Sequence, residues 1–276
     1  MRYAALPLLL AGMLVLTGCE STFDKAERAR AEAGTITQVT AADITQAAGV
    51  TAEAEGVVAS EDGLTAAVVV KITADKGTAL LWPSIQIDVL DASGQVIGTN
   101  NIPGALPNLI HVPSAPAGAT SVYVNDQVLI SGKPASAKVV IDGQPFAGEL
   151  PKPLEATPPV LVDDASLGKA WTTTVTNTTG VRQEEVIVQV VVRKNGKVVG
   201  AGTALVQGGL DPGAKADVTG YFIGSADGDL EITVPASNAA DGQGAPAEGA
   251  DQPAATTTAP TSTGGVTAPA NTLQIG

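Results

Sequence analysis

Residues 186–206 read VIVQVVVRKNGKVVGAGTALV, two runs rich in Val and Ile on either side of a polar turn. Branched and aromatic side chains favour strands because they fit a pleated, half-buried surface. Asn195-Gly196 is the dipeptide favoured in two-residue hairpin turns, since both central positions of such a turn need positive φ. We therefore predict an antiparallel hairpin of residues 186–192 and 198–206.

The same pattern of short strands and turns extends on both sides of this hairpin. Residues 61–63 (EDG) separate residues 56–59 from residues 65–73 (TAAVVVKIT), which predicts a second hairpin. Residues 80–90 predict a strand with Ile85, Ile87 and Val89 on one face. Further strands are predicted at residues 95–99, 122–124, 128–130, 138–141, 170–176, 215–223 and 230–234. The chain is therefore predicted to be all-β.

Two blocks of the sequence resemble each other at nearly constant spacing. Residues 72–78, 90–98 and 116–118 match residues 175–181, 192–200 and 211–213, respectively. Short strands with a turn signal every 8–12 residues or so are typical of β-sandwiches. Residues 149–159 contain four prolines and predict a semi-rigid linker. We expect two tandem sandwich modules, at residues 51–148 and 160–235.

One strand and turn carry a family resemblance. Ile87-Asp88-Val89-Leu90-Asp91 is followed by Ser93-Gly94, and the second block contains Thr176-Asn177-Thr178. These segments are similar to FxLYD-type and related immunoglobulin-like modules of bacterial envelope lipoproteins. The resemblance covers about residues 51–235. It implies immunoglobulin-like sandwiches with an adhesive or spacer role, and a sandwich fold alone does not specify a function.

The N-terminus has the order of a secretory signal: Arg2, an apolar run over residues 3–16, then small residues. The run is shorter than the roughly 20 residues that a transmembrane helix needs, although an uncleaved membrane helix is the alternative. Leu16-Thr17-Gly18-Cys19 resembles the lipobox of a bacterial lipoprotein, and Cys19 is the only cysteine. The resemblance implies acyl chains on Cys19, a signal peptide at residues 1–18 and a lipidated tether at residues 19–50.

The negative charge of the chain disfavours some ligands. The formal net charge is −13, which disfavours nucleic acid and anionic lipid headgroups as ligands.

Residues 236–276 contain no aromatic and no basic residue. We expect this tail to be disordered, because it can bury too little apolar surface to offset the conformational entropy that ordering the chain would cost. The threonines of this tail fit either an O-glycosylated segment or an unmodified one.

Catalytic and metal-binding residues are scarce. His111 is the only histidine, which excludes HExxH zinc sites and clusters of histidine ligands. A Ser-His-Asp triad would have to use His111, which lies in a proline-rich loop and is expected to be exposed to solvent. We expect no enzyme activity, no metal and no cofactor.

Trp82, Tyr123 and Trp171 are the candidate binding residues. Exposed rings would stack on sugars, whereas buried rings would belong to the core, which we expect in a chain with so few aromatics. The favoured function is a non-enzymatic, extracytoplasmic spacer or protein-interaction lipoprotein, anchored to the cell membrane or outer membrane through Cys19. The alternative is a cell-wall or carbohydrate-binding lipoprotein. The partner, an envelope protein or a cell-wall glycan, is not specified by the sequence.

Overall fold

The computed structural model describes residues 44–102, 110–164 and 168–244, which form an all-β structure of antiparallel sheets with essentially no helix. The predicted signal peptide and Cys19 lie outside these residues. The strands are β1 (Val50–Ala59), β2 (Thr65–Ala74), β3 (Leu80–Leu81), β4 (Ser84–Leu90), β5 (Val96–Thr99), β6 (Ser114–Ala115), β7 (Thr120–Leu129), β8 (Ser136–Asp142), β9 (Glu155–Ala156), β10 (Val160–Asp164), β11 (Gly168–Thr176), β12 (Val186–Lys194), β13 (Lys197–Val206), β14 (Lys215–Tyr221), β15 (Ile223–Gly224) and β16 (Asp229–Thr233).

The first half of the described chain forms the N-terminal sheet pair. Its sheets have the strand orders β1-β2-β7 and β5-β4-β8, and the short strands β3 and β6 pair beside them. Ile85, Ile87 and Val89 alternate along β4 and are fully buried, as the sequence pattern predicts. They pack with Ile72 and Tyr123 in one apolar core, so the hydrophobic surface of both sheets is removed from water.

The second half forms the C-terminal sheet pair, with the strand orders β10-β11-β14, where β9 also pairs with β11, and β15-β13-β12-β16. β11 lies between β10 and β14 in its sheet, and β2 lies in the same way between β1 and β7. β12 likewise pairs with β13 and β16 as β4 pairs with β5 and β8. Trp171, Val188 and Val190 lie in the separate core of this pair.

The hairpin predicted at residues 186–206 is confirmed. β12 and β13 pair from Val186 opposite Val206 to Lys194 opposite Lys197. Asn195 and Gly196 both have positive φ, 52° and 75°, as a tight hairpin turn requires. The hairpin predicted around residues 61–63 is also present, as β1 and β2.

Gly98 and Gly200 occupy equivalent close approaches in the two sheet pairs. An added Cβ at Gly98 would lie 2.2 Å from the carbonyl oxygen of Leu129. At Gly200 it would lie 2.1 Å from the carbonyl oxygen of Ser225. In both places the added carbon would meet a backbone carbonyl oxygen of a neighbouring segment, so only glycine fits.

The sheets β1-β2-β7 and β15-β13-β12-β16, which we call the inner sheets, pack against each other. Ala67, Val69 and Val124 of one form an apolar cluster with Val191 and Ala201 of the other. β2 and β12 are therefore buried on both faces, which explains why their apolar runs do not alternate with polar residues. The two sheet pairs are in direct contact rather than separated by the linker.

Three segments differ from the predictions. The strand predicted over residues 80–90 is interrupted at Trp82, whose φ is 50°, so β3 and β4 are separate strands. Residues 149–159, predicted as a semi-rigid linker, are part of the C-terminal sheet pair, because Leu154 is buried in its core and β9 pairs with β11. The expectation of disorder from residue 236 is wrong for residues 236–239, which are buried. Their small side chains fit a narrow space between the sheet pairs, which composition alone does not reveal. Residues 245–276 lie outside the described part of the chain.

Candidate functional site

The structure places the three candidate aromatic residues inside the protein. The exposed fractions are 6% for Trp82, 1% for Tyr123 and 0% for Trp171. Tyr123 and Trp171 belong to the two cores, and burial raises the pKa of the Tyr123 phenol far above its ordinary range. The prediction of core aromatics is confirmed, and the role of these three rings as an exposed sugar-binding face is corrected.

His111 is also buried, with 7% of its surface exposed, which corrects the expectation of a solvent-exposed loop histidine. It forms a β-bridge with Ser84, so the chain after the proline-rich loop returns to the edge of the N-terminal sheet pair. Within residues 44–102, 110–164 and 168–244, no three His, Cys, Asp or Glu side chains lie close enough together to hold a metal ion.

The most elaborate polar arrangement lies where residues 234–239 cross between the sheet pairs. We call this segment, which reads VPASNA, the C-terminal strap, and all six of its residues are buried. On the N-terminal side, Ser114 Oγ donates a hydrogen bond to the carbonyl oxygen of Ala236 at 2.9 Å. Trp82 Nε1 donates to the next carbonyl oxygen, that of Ser237, at 2.7 Å.

Gln183 holds the strap from the C-terminal sheet pair. Its Oε1 accepts hydrogen bonds from the backbone N–H groups of Ser237 at 2.7 Å and Asn238 at 2.8 Å. The side chain is fully buried, and backbone hydrogen bonds with Leu210 in both directions fix its position. Because an unpaired buried amide is costly, these bonds give Gln183 one defined orientation.

Trp82 has an unusual backbone conformation. Its φ is 50°, in the left-handed region that bulky residues rarely adopt. The following Pro83 further restricts its backbone, and the Trp82 N–H donates to the carbonyl oxygen of Pro113. Strain of this kind persists only where the surroundings enforce it, and it is concentrated at functional sites. The Trp82 indole N–H reaches the strap from this position.

The inner-sheet contact carries a second polar group of residues. Gln189 Oε1 accepts from the Val124 N–H at 2.6 Å, whereas Gln189 Nε2 is buried without a partner. Asp126 accepts from the backbone N–H of Thr203 at 2.7 Å and from its hydroxyl at 2.9 Å. Burial raises the pKa of the Asp126 carboxyl, although the hydrogen bonds from Thr203 oppose this effect.

Arg193 adds an ion pair at the rim of this contact. Its guanidinium donates to Glu231 at 2.8 Å within the C-terminal sheet pair and to Glu55 of β1 at 2.6 Å. Hydrogen bonds to these two carboxylates raise the pKa of Arg193. The arrangement joins the sheet pairs electrostatically, and its partial exposure limits its contribution to stability.

Gln183, Gln189 and the strap were not identified by the sequence analysis. A signal existed for Gln189, since a single amide inside a continuous apolar run predicts a buried polar contact. The unbroken run at residues 66–70 likewise indicates burial on both faces. Gln183 and the strap carry no comparable local signal, because their partners lie more than 50 residues away in the sequence.

Comparison with known proteins adds no assignment: no family model matches the chain, and no curated protein is significantly similar to it. No helix in the described part of the chain combines the length and apolar character that a membrane crossing requires.

Proposed function

We propose that this protein is a non-enzymatic, extracytoplasmic lipoprotein, anchored through acyl chains on Cys19, that acts as a rigid spacer or protein-interaction module. In this proposal its body consists of two tandem immunoglobulin-like sandwich modules, at residues 51–148 and 160–235. The equivalent strand pairing of the two sheet pairs supports the tandem arrangement. The shared close approaches at Gly98 and Gly200 support it as well.

The packing of the inner sheets is the observation that carries this proposal. Domains joined only by a linker move relative to each other unless their interface is large and apolar. Here an apolar cluster, the Asp126–Thr203 hydrogen bonds and the strap all connect the two sheet pairs. A body with a fixed internal geometry holds whatever it carries at a defined distance from the membrane.

Carbohydrate binding is the less favoured function, because the three rings that would stack on a sugar are buried. Among the described residues, the exposed aromatic ring is that of Tyr221, which is partly exposed beside Asp164. One such ring without a groove does not define a glycan site.

Metabolic labelling with a palmitate analogue tests the anchor. The wild-type chain is expected to incorporate label and to partition into the membrane fraction. Cys19→Ser should abolish the label, whereas Ser21→Ala, a matched change two residues downstream, should retain it. The label is the decisive readout, because an uncleaved signal could also hold a protein in the membrane. Equal labelling of Cys19→Ser and wild type would refute the lipoprotein proposal.

A further inference from the structure

The strap is held through its backbone and through the packing of Val234 and Ala236 in the C-terminal core. Ser114 and Trp82 donate to two consecutive carbonyl oxygens, and Gln183 accepts from two consecutive N–H groups. None of these four bonds belongs to a β-ladder. This is the way in which a groove binds an extended peptide, with side chains of the host satisfying the main chain of the guest.

Side-chain size is the second feature that the groove selects. Ala236 and Ala239 are almost completely buried, and Ser237 is as well. A longer side chain at these positions would meet the close-packed walls of the groove, since interiors leave few voids larger than a water molecule. The groove therefore accepts an uncharged, extended segment with small side chains at consecutive positions.

The groove is built from both sheet pairs. Trp82 and Ser114 belong to the N-terminal pair, and Gln183 to the C-terminal pair. Trp82 has a positive φ, and its indole N–H reaches the carbonyl oxygen of Ser237 in the strap.

We propose that this groove is a peptide-recognition site, occupied in cis by residues 234–239, and that an extended segment of a partner protein with small Pro-, Ala- and Ser-type residues displaces the strap. The partner segment takes the same four hydrogen bonds, from Ser114 and Trp82 and to Gln183. This inference names a partner class for the interaction role proposed above and rests on that role.

The test uses the full chain and a fluorescent peptide with the sequence of residues 234–240, VPASNAA. In the wild type the groove is occupied, so the peptide should bind weakly. Ala236→Glu combined with Ala239→Glu should expel the strap and strengthen peptide binding about tenfold or more, because an occupied groove lowers apparent affinity by its free fraction. In that background Trp82→Phe, which keeps an aromatic ring but removes the donor, should weaken binding about fivefold to tenfold.

Three results would overturn the proposal. One is a folded double variant, by near-ultraviolet circular dichroism, that binds no peptide at millimolar concentration. If the variant does not fold, the test is hydrogen exchange of the backbone N–H groups of Ser237 and Asn238 in the wild type. Exchange that requires global unfolding would overturn the proposal. Exchange through local opening of the strap would support it. A dimer formed by exchange of straps between copies would show that the occupant is a second copy. Palmitate labelling of Cys19 is independent of all three, so failure here leaves the anchor intact.

Discussion

Gly56→Ala probes the contact between the inner sheets with a single methyl group. The added Cβ would lie 2.6 Å from Val198 Cβ and 3.0 and 3.2 Å from its two methyl carbons. Val198 belongs to the C-terminal sheet pair, so this clash exists only when the two sheet pairs are docked. Gly56 lies in a strand and does not have positive φ, so alanine imposes no backbone strain of its own.

The expected change in the free energy of unfolding follows from two opposing effects. Overpacking costs about 1–3 kcal/mol, and replacing Gly with Ala at a compatible position returns about 0.4–1 kcal/mol. We therefore expect Gly56→Ala to lower the free energy of unfolding by about 1–2 kcal/mol. Val198→Ala removes two half-buried methyl groups and should cost about 1 kcal/mol. Val198→Ala removes the methyl carbons at 3.0 and 3.2 Å but keeps the Cβ at 2.6 Å, so the double variant should recover only part of the combined loss. The favourable coupling energy should be about 0.5–1 kcal/mol.

Urea unfolding followed by tryptophan fluorescence measures the free energy of unfolding of each variant, since Trp82 and Trp171 are both buried in the folded protein. Gly77→Ala is the matched control, because nothing lies within 4 Å of its added Cβ and its φ is not positive. It should change stability by only a few tenths of a kcal/mol. If Gly56→Ala is as stable as Gly77→Ala and shows no coupling with Val198→Ala, the sheet pairs do not touch as described.

Three further predictions concern the two cores and the interface. Trp171→Phe should cost only about 1 kcal/mol despite full burial, because it also removes an indole N–H that has no hydrogen-bond partner, and thermal denaturation measures this. Gly98→Ala and Gly200→Ala should each cost about 3 kcal/mol or more in urea unfolding, since the added methyl meets an immovable carbonyl oxygen, and a neutral effect would contradict the close approach. Asp126 has a raised pKa in the folded protein, so its contribution to stability is complete below its ordinary pKa of 3.8 and is lost as the pH rises through the raised value. Asp126→Asn should remove this part of the pH dependence, and an unchanged profile of unfolding free energy against pH would contradict the buried position.

Local sequence patterns predict the strands and turns of this protein well. The alternation of Ile85, Ile87 and Val89 identifies the inward face of β4, and Asn195-Gly196 identifies a hairpin turn whose dihedral angles agree with the prediction. These features depend on residues close together in the chain, so they can be read from a short window.

The docking of the sheet pairs and the strap could not be predicted in the same way. Residues 236–239 have the composition of a disordered tail, and they are ordered because Trp82, Ser114 and Gln183, all distant in sequence, complete their hydrogen bonds. Burial of a small-residue segment is thus decided by the shape of its surroundings. The strap and Gln183 were missed for this reason. Of the three aromatic residues that the sequence singled out, Tyr123 and Trp171 belong to the cores, and Trp82 donates its indole N–H to the strap.

A distance distribution between the two sheet pairs tests the central claim most directly. Spin labels at Ala92→Cys and Thr219→Cys, both exposed, can be introduced in a Cys19→Ser background and measured by double electron–electron resonance. A rigid unit predicts one narrow distribution that stays the same at high salt, because apolar packing rather than surface charge holds the sheet pairs together. A broad or multimodal distribution would show two modules that move independently and would contradict the account.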